Sequence, residues 1–169
     1  MDIISTPRLR LRPIERSDLR ALHALYADPE LMRFITGKAR TPWETRERLN
    51  KDLSHHDHFG FGLCIAEWHE DHRAIGRCGL EPVITSAGLE GEAAWMFAKP
   101  WWGLGLAAEA GEALLSYGLG VLGLSRIFAV ADKRNAASIR VMQKLGMSPT
   151  DDQGNDVVFE LMNTATNSN

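Results

Sequence analysis

Cysteine is scarce in this chain. Its 169 residues include two, Cys64 and Cys78, and neither stands in a Cys-x-x-Cys or zinc-type spacing. A disulfide framework and a thiolate metal site are therefore set aside, and a reducing compartment, the cytoplasm, is expected. No apolar run is long enough to cross a bilayer. The stretch MDIISTPRLRLRP lacks the apolar centre of a signal peptide. Basic charge is not in excess either. The chain has 19 Lys and Arg against 22 Asp and Glu, for a formal net charge of −3, so neither nucleic acid nor a membrane surface is an expected partner. Repeats and linkers are missing as well. What remains is a globular composition, 44% apolar and 24% charged, in a length that suits one domain. Residues 1–162 are read as that domain, monomeric or homodimeric, and the polar NTATNSN at 163–169 as a frayed tail.

RLRLRP alternates arginine and leucine from Arg8 to Arg12 and stops at Pro13, a strand signal. Ser17 is a candidate N-cap for a helix striped by Leu19, Leu22, Leu25 and Tyr26, which must stop near Pro29. Thr41 to Glu44, TPWE, joins a capping box to a proline at the first helical position. The charged helix after it offers Glu44–Arg48 and Glu47–Lys51 as i,i+4 pairs. FGFGLCIAEW and AIGRCGLEPV read as strands joined by the polar HEDHR. Pairing Glu67 with Ile75 sets Cys64 opposite Cys78 as a packed, reduced pair. GEAAWMFA, SRIFAVAD and DVVFELM are further strands. Helix formers run to about Leu122, and AASIRVMQKLG makes a helix capped by Asn135 and ended by Gly146. A meander followed by alternating helices and strands predicts an α+β fold on a mixed sheet.

KPWWGLGLAAEAGEALL, Lys99 to Leu115, sets Gly103 and Gly105 just before a helix. A helix N-terminus offers unpaired N–H groups and partial positive charge, and glycine lets a ligand approach the backbone. The pair reads as an anion cradle. Gly103, Gly105 and Ala108 fit the frame of a dinucleotide fingerprint, but Asp132 lies beyond the place of its acidic residue. The Lys-Ser/Thr pair of a P-loop is missing. A tight turn before a core helix is the plain alternative, and the motif alone leaves these readings open.

With its surroundings the stretch resembles the GNAT superfamily of acyl-CoA N-acetyltransferases, most closely the branch of the ribosomal-protein N-terminal acetyltransferases RimJ and RimL. TPRLRLRP, IGRCGL, WWGLGLAAEA, SRIFAVADKRNAASIRVMQKLGM and DVVFEL carry the likeness. The most specific feature pairs W-G-x-G-x-A with N-x-x-S-I-R-V-x-x-K-L-G about thirty residues later. The resemblance implies a mixed, mostly antiparallel central sheet flanked by about four helices. It is splayed between the family's fourth and fifth strands, here GEAAWMFA and SRIFAVAD. Acetyl-CoA is the implied co-substrate. Its pyrophosphate would lie on backbone from Trp102 through Gly103, Leu104, Gly105, Leu106 and Ala107 to Ala108. Its pantetheine arm would run as an added strand along Met96, Phe97 and Ala98, with Asn135 and Ser138 near the arm and the thioester. A bulge in that strand would splay the sheet and free N–H groups. Trp102 stands where the family usually has Gln or Arg.

The family reaction is direct attack of an amine on an acetyl thioester, which needs a neutral amine and a stabilised oxyanion. The resemblance points to Glu92 as the base, acting through water, with Glu81 second. Backbone N–H at Phe97 or Met96 suits the oxyanion. The tyrosine that many members use to protonate the thiolate is replaced by Met142, and no tyrosine follows Tyr117, which leaves Ser138 or water. A thiol of pKa about 8.5 is a fair leaving group without help. The acceptor is read as a protein N-terminal α-amine or a small amine. The alternatives are an aminoglycoside- or polyamine-type acetyltransferase and a noncatalytic acyl-CoA-binding module. His55, His56 and His58 read as a solvated loop, with no metal expected and His58 a candidate for proton transfer. Phe34, Trp43 and Trp95 read as core or acceptor-cleft wall, and Arg140 with Lys144 as a solvated basic face.

Overall fold

The computed structural model describes residues 1–150 and 154–163. Its strands are β1 (Ile4–Ser5), β2 (Leu9–Pro13), β3 (Leu63–Trp68), β4 (Ala74–Thr85), β5 (Gly88–Phe97), β6 (Arg126–Asp132), β7 (Ser148–Pro149) and β8 (Asp156–Met162). They form one sheet in the order β1-β2-β3-β4-β5-β6-β8-β7, antiparallel at every step except β5 to β6. Helices α1 (Leu19–Tyr26), α2 (Pro29–Met32) and α3 (Pro42–Phe59) lie on one face, and α4 (Leu106–Ser116) and α5 (Ala136–Lys144) on the other. Each face has its own apolar core: Leu22, Tyr26, Met32, Ile65 and Met96 on the first, and Leu11, Ile75, Leu80, Leu114 and Ile127 on the second. Among the described residues five α-helices thus stand where about four were expected. The extra one is the single turn α2, which Asp28 starts by accepting the N–H groups of Glu30 and Leu31.

Local signals decide several boundaries. Thr41 and Glu44 cap α3 reciprocally, as the motif predicts. Ser17 does not cap α1. A 3₁₀ turn at Arg16–Asp18 precedes that helix, and Asp18 takes the Glu15 N–H at 2.7 Å while also binding Arg12. The Ser17 hydroxyl instead donates to Glu15 at 3.3 Å. The two i,i+4 pairs on α3 do not form. Glu44 is used in its cap, and Arg48 and Lys51 both reach down to Glu81 on the sheet at 2.6 Å. Cys64 does oppose Cys78, but the register slips between Ala66 and Glu67, so Glu67 faces Ala74 rather than Ile75. Both thiols are buried and free. Burial pushes Cys64 up to about 12 and Cys78 well above its ordinary value. Asn163 lies within the segment expected to fray, yet its side chain donates to the carbonyls of Leu119 and Leu124. Residues 164–169 lie outside the described residues.

The splay has a different origin from the one expected. No bulge interrupts β5: its ladder with β4 runs unbroken from Thr85↔Gly88 to Gly76↔Phe97. The opening comes from the other side. β5 and β6 pair only at Gly91↔Ile127 and Glu92↔Phe128, then diverge. Arg126 fastens the closed end, with Nη1 2.8 Å from Glu90 and Nε 2.6 Å from Glu160, so one guanidinium ties β5, β6 and β8. Parallel strands that stay together for two residues and then separate leave a strand edge open to a ligand.

Candidate active site

Between the separated strands lies a cleft of about 790 Å³. Strand alternation decides which backbone groups of β5 face it. The Ala98 N–H donates to the Ile75 carbonyl at 2.9 Å. Counting back by twos, Met96, Ala94 and Glu92 also turn their N–H groups to β4, and Trp95 and Phe97 turn theirs to the gap. The Phe97 carbonyl agrees with this phase, since it accepts the Trp102 indole Nε1–H at 2.6 Å from outside the ladder. Of the three residues expected along the pantetheine arm, Phe97 therefore offers its N–H. Met96 lines the cleft with its N–H turned to β4, and Ala98 does not line it. Trp95 completes the open edge.

The glycine loop leads into α4. Gly103 and Gly105 have φ of 75° and 77°, the left-handed region that strains any residue with a Cβ. Space is not what selects them. A Cβ on Gly103 would meet nothing within 4 Å, and one on Gly105 only an Arg8 guanidinium nitrogen at 3.9 Å. The conformation brings loop and helix start together at the cleft, which Trp102, Gly103, Gly105, Leu106, Ala107 and Ala108 all line. Leu104 is exposed and does not line it. Glu109, in the first turn of α4, accepts from Thr6 Oγ1 at 2.6 Å, from the Arg8 N–H at 2.9 Å and from Arg8 Nε at 2.7 Å. Arg8 Nη1 also donates to the Leu104 carbonyl at 2.9 Å. The start of the chain thus staples the loop in place. Trp102, in the position usually held by Gln or Arg, straps the loop to the end of β5 through its indole N–H.

Across the cleft, Asn135 caps α5 by accepting the Ser138 N–H at 3.2 Å. Both residues line the cleft, as does Met142, which is wholly buried. Arg140 and Lys144 line it too rather than forming a face apart from it. Phe34 and Trp95 are cleft wall, as expected. Trp43 is neither wall nor core: it is 69% exposed, in a surface groove with His23 and Arg46. The three histidines take separate partners. His56 Nε2 lies 2.7 Å from the Leu63 carbonyl, His58 Nδ1 lies 2.8 Å from the Ser54 carbonyl, and the His55 ring packs edge-on to Phe59. His58 does not reach the cleft. Among the described residues no cluster of His, Cys, Asp and Glu could hold a metal.

On the α1–α3 face of the sheet, Arg77, Gly79 and Glu81 of β4 stand opposite Met96, Ala94 and Glu92 of β5. Glu81 is bound by Arg48 and Lys51 at 2.6 Å each. Burial would raise its pKa, but these cations prevail and hold it at about 2. Glu92 is half-buried and has no hydrogen bond or ion pair among the described residues. Burial, and then the charge of Glu81, push its pKa above its ordinary value. The paired carboxylate is the weaker base, and the unpaired one is the stronger. Four further residues complete this corner and were not read as site residues from sequence: Tyr26, Arg48, Asp52 and Arg77. Asp52 is fully buried, 2.9 Å from Arg48 Nε without hydrogen-bond alignment, and burial raises its pKa. The Tyr26 hydroxyl is buried without a partner, and Arg40 and Arg77 lie 5.4 and 5.3 Å from its ring. Two signals were present in the sequence: a charge inside the apolar IGRCGL, and the i,i+4 spacing of Arg48 and Asp52.

A splayed mixed sheet with a positive-φ loop at a helix start is the arrangement that the resemblance to the acyl-CoA N-acetyltransferases implies, and sequence comparison agrees. The acetyltransferase (GNAT) domain family matches residues 8–148, so the chain belongs to that family and is an N-acetyltransferase. It is similar to the uncharacterized protein YkkB of Bacillus subtilis strain 168, at 36% identity over 84% of this chain and 83% of that protein. It is 27% identical to a spermidine N(1)-acetyltransferase of Escherichia coli K12, over 85% of this chain and 75% of the relative. Among solved structures, an acetyltransferase from Agrobacterium tumefaciens C58 superposes with a TM-score of 0.83 at 25% identity, covering 95% and 94% of the two chains. RimL, a ribosomal L7/L12 α-N-protein acetyltransferase in complex with coenzyme A, superposes at 0.79 with 17% identity, covering 95% and 98%. Members of this family use acetyl-CoA. The residues present suit it: N–H groups at a helix start for a pyrophosphate, and an open strand edge for amides.

Proposed function

We propose that this acetyltransferase acts on a primary amine that enters from the α1–α3 face, and that Glu92 takes the proton the amine must lose. The observation that carries this reading is the unpaired, half-buried carboxylate of Glu92 on the cleft, beside a paired Glu81 that cannot serve. Trp102 to Ala108, Leu104 excepted, hold the pyrophosphate. The arm lies along the Trp95–Phe97 edge toward Asn135 and Ser138. Acetyl-CoA supplies the activated acetyl thioester. Amine nitrogen bonds to the thioester carbonyl carbon and the C–S bond breaks. Of the two protons an ammonium nitrogen gives up, the one lost before attack passes through Glu92 to solvent, and the one lost after attack restores the donor that protonates sulfur. The N–H groups of Trp95 and Phe97 face the place where negative charge develops. With Met142 where a tyrosine often stands, the thiolate takes its proton from water or Ser138.

The pKa of the acceptor limits what Glu92 must do. Neutralising an α-amine of pKa about 8 costs about 1.4 kcal/mol at pH 7, against about 4.6 kcal/mol for an amine of about 10.4. A carboxylate acting through water suffices for the first. The RimJ/RimL-like motifs fit such an acceptor, in a cytoplasmic enzyme. A screen of amines with acetyl-CoA, read by free thiol release and the mass of the product, tests the reading. Amine-dependent release supports it. Tight acetyl-CoA binding without transfer to any amine would make the protein a binding module instead.

A further inference from the structure

The α1–α3 face of β4 and β5 is graded in charge. Three facing pairs follow one another: Arg77 with Met96, Gly79 with Ala94, and Glu81 with Glu92. One end is cationic, the middle holds the two smallest residues, and the other end is anionic. The charges at the ends are not matched internally. Arg77 is 7% exposed, lines the cleft, and leaves its Nε and Nη1 without a hydrogen-bond partner. No carboxylate lies within 4.0 Å of it among the described residues. Its neighbour Asp52 stands 2.9 Å from Arg48 Nε and acts on Arg77 only through space, with no hydrogen bond or ion-pair contact between the two, and the contact of Arg77 with Tyr26 is to the ring. A buried guanidinium without an anion is costly, and its fork of donors matches a carboxylate. At the other end Arg48 and Lys51 neutralise Glu81, so Glu92 carries the free negative charge. A site with an unmatched cation and an unmatched anion, separated by small residues, is complementary to a molecule bearing both charges.

We propose that the acceptor is a small amine that also carries a carboxylate, an amino acid in the broad sense, and that Arg77 receives the carboxylate while the amine faces Glu92. This rests on the acetyltransferase reading and narrows its acceptor. A polyamine would place a second cation against Arg77, and a peptide N-terminus would offer it only a neutral carbonyl.

The test is a set of matched acceptors with acetyl-CoA and the full-length protein: phenylalanine with phenethylamine, and 4-aminobutyrate with butylamine, beside spermidine and a short peptide amide. The wild-type kcat/KM is expected to favour the carboxylate-bearing member of at least one pair by roughly 30-fold or more. Arg77→Gln should lower kcat/KM for the amino acid more than for its plain amine, so that the ratio within each pair falls toward one. Arg77→Lys, which keeps the charge and loses the fork, should retain part of the preference. Acetyl-CoA affinity, measured by calorimetry, should stay unchanged in both variants. Equal wild-type rates within each pair would overturn the proposal, and this needs no variant to fold. So would preference for spermidine or the peptide, or an equal loss on both members in Arg77→Gln. Thiol release with plain amines but no carboxylate preference refutes this proposal only. No transfer to any amine refutes the broader reading with it.

Discussion

The two walls of the cleft are built from different materials. The wall formed by the glycine loop and the start of α4 is backbone: two left-handed glycines, the first N–H groups of a helix, and an open strand edge at Trp95 and Phe97. Its side chains brace it, with Glu109 stapled to Thr6 and Arg8, and Trp102 strapped to Phe97. The wall on the α1–α3 side is side chain: Tyr26, Arg48, Asp52, Arg77, Glu81 and Glu92, from four separate elements. Backbone N–H groups recognise a phosphate whatever side chains surround them, so this half suits a co-substrate common to a family. A cluster of long side chains is altered by single substitutions, so this half suits an acceptor that differs between members. The contrast predicts that damage to one wall leaves the function of the other intact.

The largest effect belongs to the backbone wall. Gly105→Glu adds a Cβ at φ of 77° and a negative charge at the helix start. Acetyl-CoA affinity should fall by at least about 100-fold, from strain and charge repulsion together. Calorimetry showing wild-type affinity would remove the loop from the site. Next comes Glu81 on the other wall. Glu81→Gln leaves Arg48 and Lys51 without their shared anion and should cost about 1–3 kcal/mol by chemical denaturation, with acetyl-CoA affinity preserved. The pH dependence has a definite sign. The folded-state pKa is depressed, to about 2 from the ordinary 4.5, so the stabilisation is present above 4.5 and lost as pH falls toward 2. Wild type should lose stability over that window more steeply than Glu81→Gln. Parallel curves would mean the ion pairs contribute nothing. The smallest effect is at the strap. Trp102→Phe removes one hydrogen bond to the Phe97 carbonyl, for roughly a fivefold weaker acetyl-CoA Kd and an unchanged amine KM. A changed amine KM would mean that the two walls are coupled.

The same contrast explains what the sequence made legible. Backbone sites need glycine at fixed places and a helix right after, so Gly103, Gly105 and the α4 start were visible as a pattern. The caps at Thr41 and Asn135 were visible for the same reason: each is a local bond within three residues. The splay was foreseen in place but not in cause, since a two-residue parallel pairing held by Arg126 depends on strands far apart in the chain. Glu44–Arg48 and Glu47–Lys51 failed because a half-buried carboxylate on the sheet, Glu81, attracts Arg48 and Lys51 more strongly than exposed neighbours on the helix do. Arg77 went unremarked because its significance lies in lacking a partner, which only the packing of Tyr26 and α3 around it reveals. The role of Trp102 was likewise illegible, for its bond closes a loop whose shape follows from the glycines after it.

The division of labour between the walls stands or falls on Glu92. The measurement is Glu92→Gln, with kcat for a working amine followed across pH and acetyl-CoA Kd by calorimetry. Burial and Glu81 raise the pKa of Glu92, so the wild-type rate should climb with pH through a limb shifted upward from the ordinary carboxylate position. The variant should be about 100-fold slower and lack that limb, while the titration of the amine itself remains. Its acetyl-CoA affinity should match wild type. A wild-type rate at every pH, or an affinity that falls along with the rate, would contradict the account.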